Sequence, residues 1–331
     1  MLDNRFMLIQ LFAELNTNVT TAASTPNDLS PTMKTFYDTQ LLENARADTY
    51  FNQFGKKVSL PKNGGNKIEW RKIDTFAKAM TPLTEGVTPD GEKVNMTKIE
   101  ADLNQYGDYT TISDRLELEA VDPIIMSVTE EHGAQAGETL DTVTRNEVVS
   151  GTNVIYSGAV TSREAVKPAN VLTADDIHKA VTLLKKLHCP QIEGGGYVAI
   201  VHTSAAYDIM KDSEFVEWSK YTTPEKMFNG EIGKLYNCRV IETPDTKVWK
   251  TANGAVYATV VFGKDAYGII DPSAESLEVI VKQRGSAGTA DPLDQRSTVG
   301  WKATHAAKIL YQNRLVRIES GSSYSTVDEE N

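Results

Sequence analysis

The chain has 331 residues, 40% of them hydrophobic and 24% charged, with a formal net charge of −11. That length holds about two compact domains, and the composition is globular, with disorder expected only at the ends. The acidic balance argues against a sequence-reading nucleic-acid binder or a binder of anionic membranes, although an acidic total is compatible with one basic face. Cys189 and Cys238 are the only cysteines. Two are too few for a disulfide framework, so a reduced intracellular chain is the default, and a single bridge between them stays open.

At the start, Arg5 precedes the apolar run 6–12, but Gln10 interrupts it and Glu14 follows at once, a poor match to a signal peptide. No stretch approaches the ~20 apolar residues of a membrane-spanning helix, and a soluble protein is expected. Residues 16–28 are polar and aperiodic, as in an arm or linker. Ser30 then caps a helix with Pro31 in its first turn and Met33, Phe36, Tyr37, Leu41 and Ala45 as its apolar stripe.

The most informative stretch is a long hairpin over 61–114. In its first arm Ile68, Trp70 and Lys72 share one strand face, and Lys67, Glu69, Arg71 and Ile73 the other. In the returning arm Val94, Met96 and Lys98 set one phase, and Ile99, Ala101 and Leu103 the opposite one, which predicts a bulge at 97–99. Between the arms, Pro89-Asp90-Gly91 is turn chemistry. A two-stranded ribbon is marginal alone in water. Either these strands join a larger sheet of the same molecule or the hairpin inserts into a neighbour.

Asp122-Pro123 opens a second, longer helix that ends near Val149, before Gly151. Its ~27 residues span ~40 Å, long for a globular domain. Ile125, Val128, His132, Ala136, Leu140 and Val143 form its apolar face, and Glu130, Glu131, Glu138 and Asp141 populate the rest. Gly133 and Gly137, four apart, allow another backbone to approach closely. The second half predicts a helix over 174–187 capped by Thr173, a buried strand over 197–202, and strands over 238–242, 255–262, 277–282, 301–310 and 314–319. This order makes the fold α+β rather than doubly wound. The tail 320–331 reads as a loose polar end, and no internal repeat is visible.

Chemistry is hard to find. Gly194-Gly195-Gly196 precedes a strand, whereas a phosphate loop follows one, so it reads as a turn. Gly230-Glu231-Ile232-Gly233-Lys234 lacks P-loop spacing and is followed by Leu235 rather than a hydroxyl residue. His132, His178, His188, His202 and His305 are scattered without zinc-ligand spacing, and His188 beside Cys189 has no second pair. His202-Thr203-Ser204 has no nucleophile elbow, and Thr203 or Ser204 is better explained as the cap of a helix over 205–210. No catalytic, cofactor or metal residues are assigned, and the chain is not read as an enzyme.

Several segments, in order, carry a resemblance: Leu29-Ser30-Pro31 with Gln40 to Ala45, Leu60 to Gly65, Pro82-Leu83-Thr84-Glu85-Gly86-Val87-Thr88-Pro89-Asp90-Gly91, Gln105-Tyr106-Gly107-Asp108-Tyr109, Gln135 to Asp141, Phe228 to Gly233, and Gly285 to Arg296. Over about 29–319 the chain resembles tailed-phage major capsid proteins of the Hong Kong 97 fold, in particular the coat proteins of the coliphage N-four group. Residues 1–28 match no family pattern. The resemblance implies an N-terminal arm (1–55), an extended loop (56–114), a spine helix with peripheral domain (115–189), an axial domain (190–290) and peripheral strands with the tail (291–331). It implies self-assembly into hexamers and pentamers of an icosahedral virion shell in the host cytoplasm. Its partners would be a portal, scaffolding or decoration proteins, and double-stranded DNA held by non-specific lumenal contact. The hairpin would lie across an adjacent subunit, with Trp70, Arg71, Pro82, Glu85, Asp90, Gly137 and Arg296 as subunit-interface candidates. An acidic shell also suits its cargo, since a strongly basic lumen would pin DNA through counterion release. The rivals are an encapsulin-like compartment shell and an intracellular α+β enzyme.

Overall fold

A computed structural model describes residues 17–18, 50–59, 66–88, 91–119, 124–192, 195–213, 215, 231–271, 277–287 and 291–331. The helix expected around 30–45, together with Pro89, Asp90, Gly194 and Gly230, lies outside them. In chain order the strands are β1 (Thr17–Asn18), β2 (Lys56–Val58), β3 (Lys67–Ile73), β4 (Met96–Asp102), β5 (Asn104–Ser113), β6 (Val154–Tyr156), β7 (Tyr197–His202), β8 (Glu231–Leu235), β9 (Cys238–Thr243), β10 (Val248–Thr251), β11 (Gly254–Phe262), β12 (Tyr267–Ile270), β13 (Leu277–Lys282), β14 (Arg296–His305), β15 (Ala307–Ile309) and β16 (Leu315–Ser320). The α-helices are α1 (Phe51–Phe54), α2 (Asp114–Glu119), α3 (Ile124–Val149), α4 (Ala174–Lys186) and α5 (Thr203–Lys211). This is the α+β class read from the sequence. Two compact units divide the chain, one drawing on 1–48, 105–138 and 272–304, the other on 49–104, 139–271 and 305–331. β16 lies in one sheet with residues 197–202 and 254–262, and α4 packs in the core of that sheet.

The first unit is built on a sheet of order β1-β5-β14-β13. β13 and β14 are antiparallel, with Val279 opposite Trp301, and β1 adds in parallel, with Thr17 opposite Thr111. Leu277 and Val279 on β13, and Val299, Trp301 and Ala303 on β14, are buried at every second position, the period of a half-covered strand. Ile112, Leu116, Ile125 and Val299 form the core of this unit.

The second unit centres on a sheet of order β6-β16-β11-β7-β9-β8, with β10 also on β11. Every residue of β7 is buried, because both faces of this sheet are covered. Ala199 and Val201 pack with Ile177, Val181 and Leu184 of α4 and with Ala205 and Ile209 of α5. Val198 and Ile200 pack with Phe51 of α1, Val148 and Val149 of α3, and Phe262. α4 begins where expected, with Thr173 Oγ1 accepting from the Asp176 N–H at 3.3 Å, and carries Asp175 and Asp176 in its first turn and Lys185 and Lys186 in its last, as its dipole favours. α5 corrects the sequence reading: it starts at Thr203, and its cap is His202, whose Nδ1 accepts from the Ser204 N–H at 3.1 Å.

α3 is one 26-residue helix, and its buried stripe is more polar than expected. Asp141, placed off the apolar face, is 4% exposed. Its carboxylate accepts the N–H groups of Asn52 at 2.9 Å and Tyr50 at 3.2 Å, closing the open N-terminus of α1. Burial pushes its pKa up to about 6 against the pull of these N–H groups. One turn on, Thr144 Oγ1 donates to Asn52 Oδ1 at 2.6 Å and lies 2.9 Å from Nε2 of His305, which burial holds neutral by pushing its pKa down to about 4.

The tail is not a loose end. Asp328 accepts from Ser204 Oγ at 3.0 Å and from the Tyr257 hydroxyl at 2.6 Å, Thr326 O from the Ala255 N–H at 3.1 Å, and Asn331 Oδ1 from the Val248 N–H at 2.9 Å. Backbone and side-chain bonds to a sheet margin order a segment that its polar composition alone leaves open.

Candidate subunit-contact surfaces

The hairpin is anchored at its base and bare beyond it. Among the described residues β3 and β4 form their own two-stranded sheet and do not join a larger one. Their register runs without a shift from Lys67 opposite Asp102 to Ile73 opposite Met96, so there is no bulge at 97–99. The break falls at Leu103 instead, between β4 and β5. The phase conflict has a simple cause: Val94 and Met96 are apolar but exposed, so they do not mark the buried face. Ile68, Trp70 and Ala101 do mark it, and they pack on Ile270, Ala306 and Leu310 of the same unit. The hairpin therefore has more local core than its sequence suggested. Trp70 lies flat against the backbone at Gly268, where a Cβ would come within 2.8 Å of the indole, so this strand position needs glycine. On the opposite face Arg71 pairs with Glu69 at 2.7 Å and Lys98 with Glu69 at 2.9 Å. The hydrogen bond from Arg71, then that from Lys98, holds the Glu69 carboxyl below its usual range. Such exposed pairs add little stability.

Past this base the arms run on from the bond between the Asp74 N–H and Asn95 O, at 3.1 Å. Ile73, Phe76, Met80, Leu83, Val87, Val94 and Met96 are all more than half exposed, Met80 at 81% and Leu83 at 78%. These seven are just over half of the 13 large hydrophobic side chains exposed among the described residues. Apolar surface concentrated this way on one segment marks an interaction surface.

The first unit carries a groove of about 770 Å³ on its sheet, lined by Tyr106, Tyr109 and Trp301 with Lys282, Arg296 and Lys302. Its floor depends on a close strand crossing. A Cβ on Gly107 would meet Trp301 O at 2.5 Å, and one on Gly300 would meet Asp108 O at 2.6 Å. Gln135 fixes the wall from α3: its Oε1 accepts from Trp301 Nε1 at 3.0 Å and its Nε2 donates to Asp108 at 2.8 Å. That bond from Gln135, with one from the Tyr109 N–H, holds the Asp108 carboxyl below its usual range.

The interface candidates fall in different settings. Pro82 and Glu85 are exposed on the bare hairpin, and Arg71 is exposed at its base. Trp70, at 8% exposure, is engaged within its own unit, and Gly137 is buried on α3. Arg296 lines the groove, 3.6 Å from Asp291. Asp90 is outside the described residues. The exposed apolar string is what sequence reasoning missed, although its alternation with Thr, Pro and Gly was visible.

Among the described residues no group of three or more His, Cys, Asp or Glu is placed to hold a metal, and no helix is long and apolar enough to cross a membrane. Cys189 and Cys238 are both free and buried, which closes the question of a bridge. Burial pushes the Cys189 thiol up to about 11, away from a reactive thiolate. Ser204 is buried with its hydroxyl donated to Asp328.

Residues 97–317 match the sequence profile of a family described as phage capsid protein. No curated protein sequence matches. Among solved structures, the capsid of Ralstonia phage GP4 superposes with a TM-score of 0.67 at 10% identity, covering 96% of this chain and 99% of that one. The capsid asymmetric unit of cyanophage Pam1 gives 0.63 at 12% identity, covering 96% and 100%. The head structure of Helicobacter pylori bacteriophage KHP40 gives 0.62 at 12% identity, covering 96% and 99%. At these identities the likeness is one of fold.

Proposed function

The chain belongs to the phage capsid protein family, and from that premise we propose how its surfaces build a shell. The protein is a major capsid protein: it is a structural component of the phage shell, and its work is oligomeric assembly. Residues 73–96 reach across an adjacent subunit and seat their apolar side chains in that subunit's groove, against Tyr106, Tyr109 and Trp301. The single observation that carries this is the exposed apolar string beyond an anchored base. A rigid root with a bare tip offers a preformed segment that loses little freedom on docking. Charge supports the pairing. Residues 74–95 hold Asp74, Glu85, Asp90 and Glu92 against Lys78 and Lys93, while Lys282, Arg296 and Lys302 line the groove.

In this reading the first unit with α3 is the peripheral domain and the seven-stranded sheet of the second unit the axial domain. Residues 56–114 form the extended loop and 1–55 the arm. Subunits close as hexamers and pentamers, each contact moderate and many made at once. Portal, scaffolding and decoration proteins, and DNA held without sequence preference, complete the particle, which assembles in the host cytoplasm. A photo-crosslinking residue at position 83, in shells assembled from isotopically mixed subunits, tests the central contact. Crosslinks to peptides containing 105–109 or 296–302 of a differently labelled subunit are expected. Crosslinks confined to the same subunit would reject it.

A further inference from the structure

The second unit holds a cleft of about 370 Å³ at the C-terminal end of α3, lined by Asn146, Arg163, Lys247, Trp249 and Arg317. Three cationic side chains converge here in a chain whose net charge is −11. The two arginines are held from behind. Glu319, fully buried, accepts from Arg163 Nε at 2.8 Å and Nη2 at 2.7 Å, and from Arg317 Nε at 2.8 Å. Arg317 Nη1 is committed to the carbonyls of Val149 and Gly151, which tethers it to the end of the helix. Both guanidinium groups sit over Trp249, Arg163 at 3.6 Å and Arg317 at 5.4 Å from the ring centroid. Arg163 Nη1 and Arg317 Nη2 have no hydrogen-bond partner among the described residues.

The rest of the lining also donates. Arg145 bonds Asn146 Oδ1 at 3.1 and 3.3 Å, which leaves the Asn146 amide nitrogen as a donor. Lys247 stands at the rim, where its ammonium donates to Asn331 O and lies 3.7 Å from the exposed Glu330 carboxylate. Two guanidinium nitrogens, an ammonium and an amide, with their acceptors behind them, make a site for a ligand that accepts in several directions at once. We propose that this cleft binds a phosphate group, carried either by the free ion or by a nucleic-acid backbone. A planar carboxylate fills the inner position already, and a tetrahedral dianion suits the diverging outer donors. Binding draws Lys247 away from Glu330 and Asn331 O. The inference rests on the second unit alone and holds whether or not the hairpin docks as described above.

The test uses the purified full chain. Inorganic phosphate should raise the unfolding temperature beyond sodium chloride of equal ionic strength, and titration calorimetry should register one site. Lys247→Gln, which keeps the rim's size, and Asn146→Asp, which turns a donor into an acceptor, should each weaken phosphate at least about tenfold, with unchanged circular dichroism. Arg163→Gln leaves the buried Glu319 carboxylate half-compensated and can unfold the chain, so the rim variants carry the test. A labelled oligonucleotide displaced by phosphate from the wild type, and bound more weakly by Lys247→Gln, identifies the backbone as the source. Phosphate binding without oligonucleotide competition identifies the free ion. No advantage of phosphate over chloride, or a phosphate affinity in either rim variant equal to that of the wild type, overturns the proposal.

Discussion

Replacing Trp70 by Phe and by Ala separates the packing of the hairpin base from its polar chemistry. Trp70 is 8% exposed and its Nε1–H is buried with no acceptor among the described residues. Truncation to Ala removes the ring that joins Ile68 and Ala101 to Ile270, Ala306 and Leu310, at a cost of about 3–5 kcal/mol. Phe loses roughly 1–2 kcal/mol of apolar burial but removes an unsatisfied N–H whose burial costs about 1–3 kcal/mol, so the net change should lie within about 1 kcal/mol of zero. Gly268→Ala forces a Cβ to within 2.8 Å of the indole. Overpacking of about 1–3 kcal/mol outweighs the gain of up to about 1 kcal/mol from a less flexible unfolded chain. Combined with Trp70→Ala its cost should shrink, because the clash partner is gone. Urea unfolding of free subunits, with the slope unchanged, reads all four variants. If Trp70→Phe costs as much as Trp70→Ala, or if Gly268→Ala and Trp70→Ala add fully, the packing account of the hairpin base is wrong.

Residues 74–92 should be cut rapidly by protease in free subunits and protected in shells; equal cleavage in both would mean that this segment docks on its own subunit. Gly137→Leu should lower the melting temperature, since overpacking of a buried helix position, at about 1–3 kcal/mol, exceeds the ~1 kcal/mol of improved helix propensity; an unchanged melting temperature would place Gly137 toward solvent. Asp141 has a folded pKa raised by burial to about 6, above its unfolded value. The folded state therefore takes up a proton first, and stability from this group should rise as pH falls from above 6 toward 4. Asp141→Asn should flatten that part of a urea-midpoint profile, and a variant with the wild-type slope would assign the pH dependence elsewhere.

Much of this fold was legible because local signals and burial agree. β7 and β13 match their sequence bounds, α4 starts at its Thr173 cap, and Ile68 and Trp70 lie on the face that period-two reading assigned. Where reading failed, the deciding partner was distant in sequence. Asp141 is buried because the N–H groups of Tyr50 and Asn52, about ninety residues earlier, need an acceptor. The tail is ordered by Ser204 and Tyr257, and the α5 cap is a histidine, a residue type that carries no strong capping signal. Val94 and Met96 misled the phase assignment because they are apolar surface residues. The groove was hidden for the same reason, since Tyr106 and Trp301 meet only through strand order.

Electron microscopy of the purified chain, expressed alone and with a scaffolding partner, beside a variant lacking 74–92, tests the central claim most directly. The wild type should give closed shells. The deletion should keep a native circular dichroism spectrum, because the seven-stranded sheet lies outside the deleted segment, yet fail to close. A wild type that stays a 36.4 kDa monomer at high concentration with scaffold present, or a deletion that still forms normal shells, would contradict the account.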